Sequence, residues 1–216
     1  MPVFRNRPLV YRPRRSVPTD FGGLRSDLLL GGAGLVSDNF RDRLTIGSSN
    51  GFDGYGVDKA WTAQSGAFSC QSVGKLVCTS AGIVTIDPGV ADAIRFEFRL
   101  ASAPNTTSNS LVLRFADTSN YLRLVVTSTA AQFQTVIATT AAAIGTATTG
   151  VSPASGDVVI GSLIGNVFSA AIYRNGALIG TATTATNATG AGLTPVGFRS
   201  GDTNQTYSYL KVWRSS

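Results

Sequence analysis

Apolar and polar residues along the chain alternate with a period of two far more often than they recur at helical spacing, and that pattern places β-strands. Between Asp92 and Ala101, Ile94, Phe96, Phe98 and Leu100 fall on one side, with Arg95, Glu97 and Arg99 on the other. Leu111 to Ala116 repeats the alternation with Leu111, Leu113 and Phe115, and Asn120 to Thr127 sets Leu122, Leu124 and Val126 opposite Tyr121, Arg123 and Val125. Further strands are expected around Trp61 and over 67–70, 75–79, 82–86, 132–138, 157–164, 166–174, 177–182, 195–199 and 206–213. The sharpest local signal is Asn175-Gly176 between two such runs. Both residues tolerate the positive φ of a type I′ hairpin. Ala- and Thr-rich stretches at 127–150 and 181–192 read as short strands joined by polar loops. No amphipathic helix is found. Many short strands without intervening helices imply an all-β fold of two packed antiparallel sheets.

The first 35 residues do not share this pattern. Pro2, Pro8, Pro13 and Pro18 recur there, each removing a backbone donor and biasing its predecessor to extended geometry. Six arginines against Asp20 and Asp27 give this segment +4 of the net +6, so the basic character of the chain belongs mainly to it. Residues 1–35 are therefore read as a basic extended arm, and 36–216 as the sandwich. A body of about 180 residues can bury roughly 70% of its unfolded surface, so it needs neither metal nor disulfide to fold. Arg5, Arg7, Arg12, Arg14 and Arg15 are the candidate partner-binding residues of the arm. Gly31-Gly32-Ala33-Gly34 lacks the Lys-Ser/Thr of a phosphate loop and reads as a hinge. The apolar run 28–36 is far too short to span a bilayer, and no cleavage site follows it, so neither a targeting signal nor a membrane partner is expected.

The chain has no histidine, which removes the commonest general base and every His-ligated metal site. Glu97 is the only glutamate, and it shares a strand face with Arg95 and Arg99. Those cations favour its ionised form, whereas a glycosidic general acid needs a raised pKa and a second carboxylate. Glu97 reads as part of a surface charge ladder, and no catalytic residue is assigned. No cofactor is expected. Calcium is the one candidate ion, through the turn residues Asp38, Asp53, Asp58, Asp117 and Asp202, each of which also suits an Asx-turn. Cys70 and Cys78 lie on one expected hairpin, with Cys70 opposite Val77, a register that favours two packed thiols over a bridge. Tyr207 and Tyr209 share one expected face of the last strand with Lys211 and are the candidate glycan-binding aromatics.

Several segments resemble the concanavalin A-like, laminin-G-like jelly-roll family. They are Asp38-Asn39-Phe40, Lys59-Ala60-Trp61-Thr62, 65–68, 118–124, the hairpin 172–180, 196–201 and 209–213, in that order. The resemblance spans about 36–216 and implies a jelly-roll sandwich, of a family that often binds carbohydrate or protein surfaces. Such domains also occur in tailed-phage minor tail proteins and other virion surface proteins. It thus implies a non-enzymatic virion structural protein, a minor tail component held by its arm and displaying a binding sandwich. A capsid-decorating protein and a free carbohydrate-binding module are the alternatives. The expected partners are other virion proteins, further copies of the chain and a host-surface glycan. The arginines lie near Phe4 and Tyr11, but no nucleic-acid motif accompanies them, so nucleic acid is not assigned as a partner.

Overall fold

The computed structural model describes residues 34–40, 59–71, 74–105, 109–203 and 205–215. The arm arginines Arg5, Arg7, Arg12, Arg14 and Arg15, together with Asp53 and Asp58, lie outside the described residues. The strands are β1 (Gly34–Asp38), β2 (Trp61–Gln71), β3 (Lys75–Ile86), β4 (Ala93–Leu100), β5 (Asn109–Asp117), β6 (Asn120–Val126) and β7 (Ala131–Ile137). They continue as β8 (Thr140–Ile144), β9 (Val158–Ile164), β10 (Val167–Arg174), β11 (Ala177–Thr186), β12 (Val196–Ser200) and β13 (Thr206–Arg214). Among the described residues there is no helix.

Hydrogen bonding runs in the order β11-β10-β9-β4-β13-β3-β12-β5-β6-β7-β8, with β1 beside β13 and β2 beside β3. All pairs are antiparallel. Only Thr206 and Tyr207 of β13 pair with Val77 and Leu76 of β3, and there the path turns from one layer into the other. The back layer is β1, β13, β4, β9, β10 and β11; the front layer is β2, β3, β12, β5, β6, β7 and β8. Their inner faces interdigitate through aromatic pairs that bridge the layers. Phe133 of β7 meets Phe168 of β10 at 5.5 Å between ring centroids, and Phe98 of β4 meets Phe198 of β12 at 5.8 Å. The expected two-sheet antiparallel sandwich is thus the fold observed.

Local patterning accounts for most of these elements. In β4 the even positions Ile94, Phe96, Phe98 and Leu100 are buried, as their alternation requires. At the β10–β11 hairpin Asn175 and Gly176 both take positive φ, 50° and 82°, as a type I′ turn requires. Asp38 accepts the Trp61 indole N–H and the Phe40 backbone N–H, each at 2.8 Å. These bonds fix the Asp38-Asn39-Phe40 segment against the start of β2, and Trp61 then stacks on Phe198.

Four expectations change. The strands around Trp61 and over 67–70 are one strand, β2, and those over 75–79 and 82–86 are one strand, β3. Gly34 belongs to β1 and not to a hinge, and Leu35 and Val36 are buried in the core. Cys70 faces Leu76, because Gln71 pairs with Lys75 across a three-residue connection, and both thiols are buried and unbridged. β8 falls within 127–150, the stretch expected to hold short strands, and the structure supplies its bounds.

The sandwich is closed at its two ends by different means. On one side the β8–β9 connection lies along β11, where Thr146 N–H bonds Thr184 O at 2.9 Å and Thr181 N–H bonds Thr149 O at 3.1 Å. An edge strand that would otherwise present unpaired groups is thereby covered. At the other end sits Arg114, with no exposed side-chain surface. Its guanidinium donates to Asp92 Oδ1 at 2.6 and 2.9 Å, to the Gly165, Asn187 and Thr189 carbonyls, and to Asn166 Oδ1. It also lies 5.1 Å from the Phe168 ring centroid. One cation thus holds the β3–β4, β9–β10 and β11–β12 connections together. Arg114→Leu leaves these acceptors without a donor and is expected to cost on the order of 3 kcal/mol in denaturant unfolding. A loss of less than about 1 kcal/mol would refute this role.

Candidate functional site

The outer face of a sandwich sheet is ordinarily solvated. The outer face of the front layer instead buries a second hydrophobic cluster of Ile83, Val112, Phe115, Tyr121 and Val136. Alternation places Ile83, Val112, Tyr121 and Val136 on this face, and a backbone inversion in β5 adds Phe115 to them. Arg114 takes φ 45°, and the β5–β6 register breaks between Leu113 and Asp117. Leu113 stays in the main core, but Phe115 packs outward, 6.2 Å from Tyr121. Sequence alternation puts Phe115 on the same side as Leu111 and Leu113, and the inversion is why the structure does not.

Above this cluster lies a cleft of about 290 Å³. Ile83, Tyr121 and Val136 contribute to its base, Arg199 of β12 enters it, and Ser65 and Ala81 form the wall on the β2–β3 side. That wall depends on a close backbone approach. A Cβ added at Gly82 would stand 2.1 Å from the Ser65 carbonyl oxygen, so only glycine lets the two strands meet there. Irregular pairing of β2 around Ser65 marks the same place.

Thr118 and Thr139, from the β5–β6 and β7–β8 turns, also line the cleft. Asp117 accepts Ser119 N–H at 2.7 Å and the Asn120 amide at 3.0 Å, and these bonds hold its pKa below the ordinary 3.8. Asn120 Oδ1 in turn accepts Ala138 N–H at 3.2 Å, and Ser119 O accepts Thr139 N–H at 3.1 Å. The neighbouring turn is thereby held with Ala138 and Thr139 both at positive φ, 47° and 69°, a conformation unusual for a β-branched residue.

Beside the cleft, Arg123 projects from β6 on the same face as Tyr121. It is only 7% exposed. Its Nε and Nη2 both donate to Gln134 Oε1, at 3.1 and 2.7 Å, across the β6–β7 pair. Burial, and then the neighbouring Arg199 cation, push its pKa below the ordinary arginine value, while the Tyr121 side chain acts in the opposite sense. Arg123, Arg199 and Gln134 are not among the site residues expected from the sequence. Arg123 between Leu122 and Leu124 has the pattern of an ordinary solvated strand position, and no local signal distinguishes it.

The candidate glycan residues Tyr207 and Tyr209 do not lie together. The β4–β13 register shifts between them, so Tyr207 turns inward and Tyr209 outward. Tyr207 is 1% exposed and stacked on Phe198 at 3.9 Å, and there it can touch no glycan. Its hydroxyl has no hydrogen-bond partner. Tyr209 lies on the outer face of the back layer, donating to Glu97 Oε1 at 2.6 Å beneath Lys211. Glu97 is thus paired with Tyr209 and, at 3.9 Å, with Lys211. Of the candidate calcium residues, Asp38 and Asp117 serve the bonds given above, and Asp202 accepts from the Asn105 amide. Among the described residues no three His, Cys, Asp or Glu side chains converge on a point that could hold a metal ion.

No protein-family model and no curated protein sequence matches the chain. Several solved structures share its fold. Domain 4 of AbnA, a GH43 extracellular arabinanase from Geobacillus stearothermophilus, solved in complex with arabinotriose, superposes with a TM-score of 0.53 at 9% identity. The match covers 85% of this chain and 93% of that one. Carbohydrate binding module CBM66 from Bacillus subtilis gives 0.50 at 16% identity, covering 69% and 91%. A Bacillus subtilis protein of unknown function with a galectin-like fold gives 0.51 at 13% identity, covering 85% and 96%. Likeness at these identities is likeness of fold, and it supports a jelly-roll-like sandwich.

Burial raises the pKa of Cys78 above 9.0 and those of Tyr207 and Tyr209 above 10.0. In each case the unfolded chain ionises first as pH rises. Their contribution to stability is therefore complete below the ordinary thiol value and is lost in more alkaline solution. Thermal melts are expected to be level from neutral pH to about 8.5 and to fall progressively above about 9.5. Tyr207→Phe removes a buried hydroxyl without a partner, so it is expected to leave neutral-pH stability unchanged or raised by up to about 1 kcal/mol and to shallow the alkaline fall. A clear loss of stability in this variant at pH 7 would contradict the assignment.

Proposed function

We propose that the sandwich is a carbohydrate-binding module that takes its glycan in the cleft on the outer face of the front layer. The observation that carries this reading is the cleft itself, apolar at its base and edged by the hydroxyls of Ser65, Thr118 and Thr139 and by Arg199. A sugar needs that combination, because its C–H faces bury against apolar carbons while its hydroxyls require polar partners. The volume, about 290 Å³, is close to the lower end of the roughly 300–1,000 Å³ usual for ligand sites. Two neighbours in fold support the reading, one described as a carbohydrate-binding module and one solved with a bound arabinose oligomer. Fold alone does not assign function, and the reading rests on the cleft.

The test is retention of the protein on a panel of polysaccharides, alongside Ala81→Trp. Ala81 is exposed and lines the cleft, so an indole there fills the space without disturbing the core. The expected outcome is binding by the native chain and at least a tenfold loss in Ala81→Trp at unchanged melting temperature, about the effect of losing one good contact. Retention that Ala81→Trp leaves intact would move the site elsewhere.

The sequence of residues 1–35 supports a second element of the proposal. A proline-spaced segment carrying +4 needs a partner surface if it is to be ordered. In this reading the arm fixes the module to a virion, as a minor tail component or a head-decorating protein, in several copies. Because β1 begins at Gly34, the informative truncation removes 1–33 and no more. Particle incorporation lost at unchanged melting temperature is the expected result; undiminished incorporation removes the anchor role.

A further inference from the structure

The outer face of the back layer is divided. β4 carries Arg95, Glu97 and Arg99 there, whereas β9, β10 and β11 present no charged side chain on that face. Register sets their outward residues in rows across the strands: Ile164-Val167-Thr186, Ser162-Ser169-Thr184, Ile160-Ala171 and Val158-Tyr173-Leu178. Ile160, Ile164, Val167 and Leu178 are four of the five large apolar side chains exposed among the described residues, and the fifth, Ile137, lies at the end of β7. Exposed apolar side chains gathered on one face mark an interaction surface. The Ser162 and Ser169 hydroxyls bond each other at 2.9 Å, and the Thr184 hydroxyl meets that of Thr146 at 3.4 Å. Another apolar face can therefore cover them without leaving them unpaired, while a sugar finds little there to bond.

We propose that this face binds the same face of a second copy of the chain, about a two-fold axis parallel to β10. Charge selects the occupant and the axis. The chain carries +6, and here two copies meet without opposing charges. About an axis across the strands, β4 would meet β4 of the other copy, with Glu97 over Glu97 and Arg95 over Arg99. About an axis along β10, β4 meets instead the 145–150 segment of the other copy, which has no charged residue. That segment already bonds the free edge of β11, so strand-to-strand pairing is blocked there and face-to-face contact is left. Five strand widths of about 4.8 Å, from β4 to this segment, and seven residues of about 3.3 Å make a footprint of about 24 by 23 Å. With the relief of its side chains, this is the size of a standard interface, roughly 800 Å² of accessible surface per partner. Such an isologous pair makes each contact twice and turns the two front-layer clefts outward. It stands independently of the carbohydrate-binding reading.

The experiment is sedimentation equilibrium of the full chain from about 1 to about 100 μM, where a dimer is expected. Val167→Lys and Leu178→Lys each place two charges in the contact, at positions exposed in the single chain. Each is expected to weaken the dimer at least about tenfold with the circular dichroism spectrum unchanged. Ile137→Lys, off this face, leaves the dimer intact. β10 lies on the axis, with the two sheets about 10 Å apart, so a short bismaleimide is expected to join Ala171→Cys to its own counterpart. Cys70 and Cys78 are buried, so the native chain stays unlinked. A chain that is monomeric throughout this range overturns the proposal. So does a dimer that both lysine variants leave intact, one that Ile137→Lys weakens equally, or one in which Ala171→Cys gives no linked product. A monomeric chain whose polysaccharide retention falls in the lysine variants assigns the face to a glycan, and one whose particle incorporation falls assigns it to another virion protein; either rejects the pairing.

Discussion

The inversion of β5 at Arg114 couples the closure of the sandwich to the packing of its outer face. One residue at φ 45° sends a guanidinium inward to the loops and the next side chain, Phe115, outward to Tyr121. The inward consequence is closure of the sandwich, since three connections far apart in sequence converge on one donor group. The outward consequence is that Phe115 joins Ile83, Val112, Tyr121 and Val136, which alternation already places on that sheet face. A residue that looks like one more strand arginine therefore governs the packing of the loops and also brings Phe115 against Tyr121, which lines the cleft. Its energetic logic is saturation. Burying the charge is costly, and the arrangement is sustained because its donors are met by a carboxylate, carbonyls and an amide oxygen.

Much of the fold was legible because period-two patterning is a direct consequence of strand geometry. β4 and β6 show it: each alternating set lies on the face that its pattern assigns. The Asn175-Gly176 hairpin was legible for a different reason, since few residue pairs take positive φ cheaply. Ala138 and Thr139 take the same backbone conformation in the β7–β8 turn, yet neither residue favours it. Tertiary bonds from Ser119 and Asn120 hold that turn, and such bonds leave no local trace in the sequence. That is why the stretch 127–150 reads as short strands without showing where β8 begins. Tyr207 and Tyr209 were misplaced on one face for a related reason, because a register shift between them inverts the alternation without any residue that announces it.

The site was less legible than the fold, and for a physical reason. A cleft is made where distant segments meet: Ser65 and Ala81 from one hairpin, Thr118 and Thr139 from two turns, Arg199 from a strand near the C-terminus. None of these residues carries a motif. Arg123 and Gln134 form a pair only once β6 and β7 are in register.

The two outer faces of the sandwich differ in how their side chains fill them. On the back layer the charged groups satisfy one another: Glu97 accepts from Tyr209 and pairs with Lys211, while Arg99 donates to the Gly156 carbonyl. Long side chains there lie along the sheet and close over it, as in an ordinary solvated ladder. On the front layer the apolar cluster fills the centre, and the wall residues stand above it, so space is left between them. A sheet of this curvature could have closed that space with one larger side chain at the position of Gly82 or Ala81. Glycine at 82 is required by the approach of β2, but at Ala81 no such constraint acts, because that residue is exposed. Small side chains at the wall above an apolar base leave open the space that the proposed carbohydrate site requires.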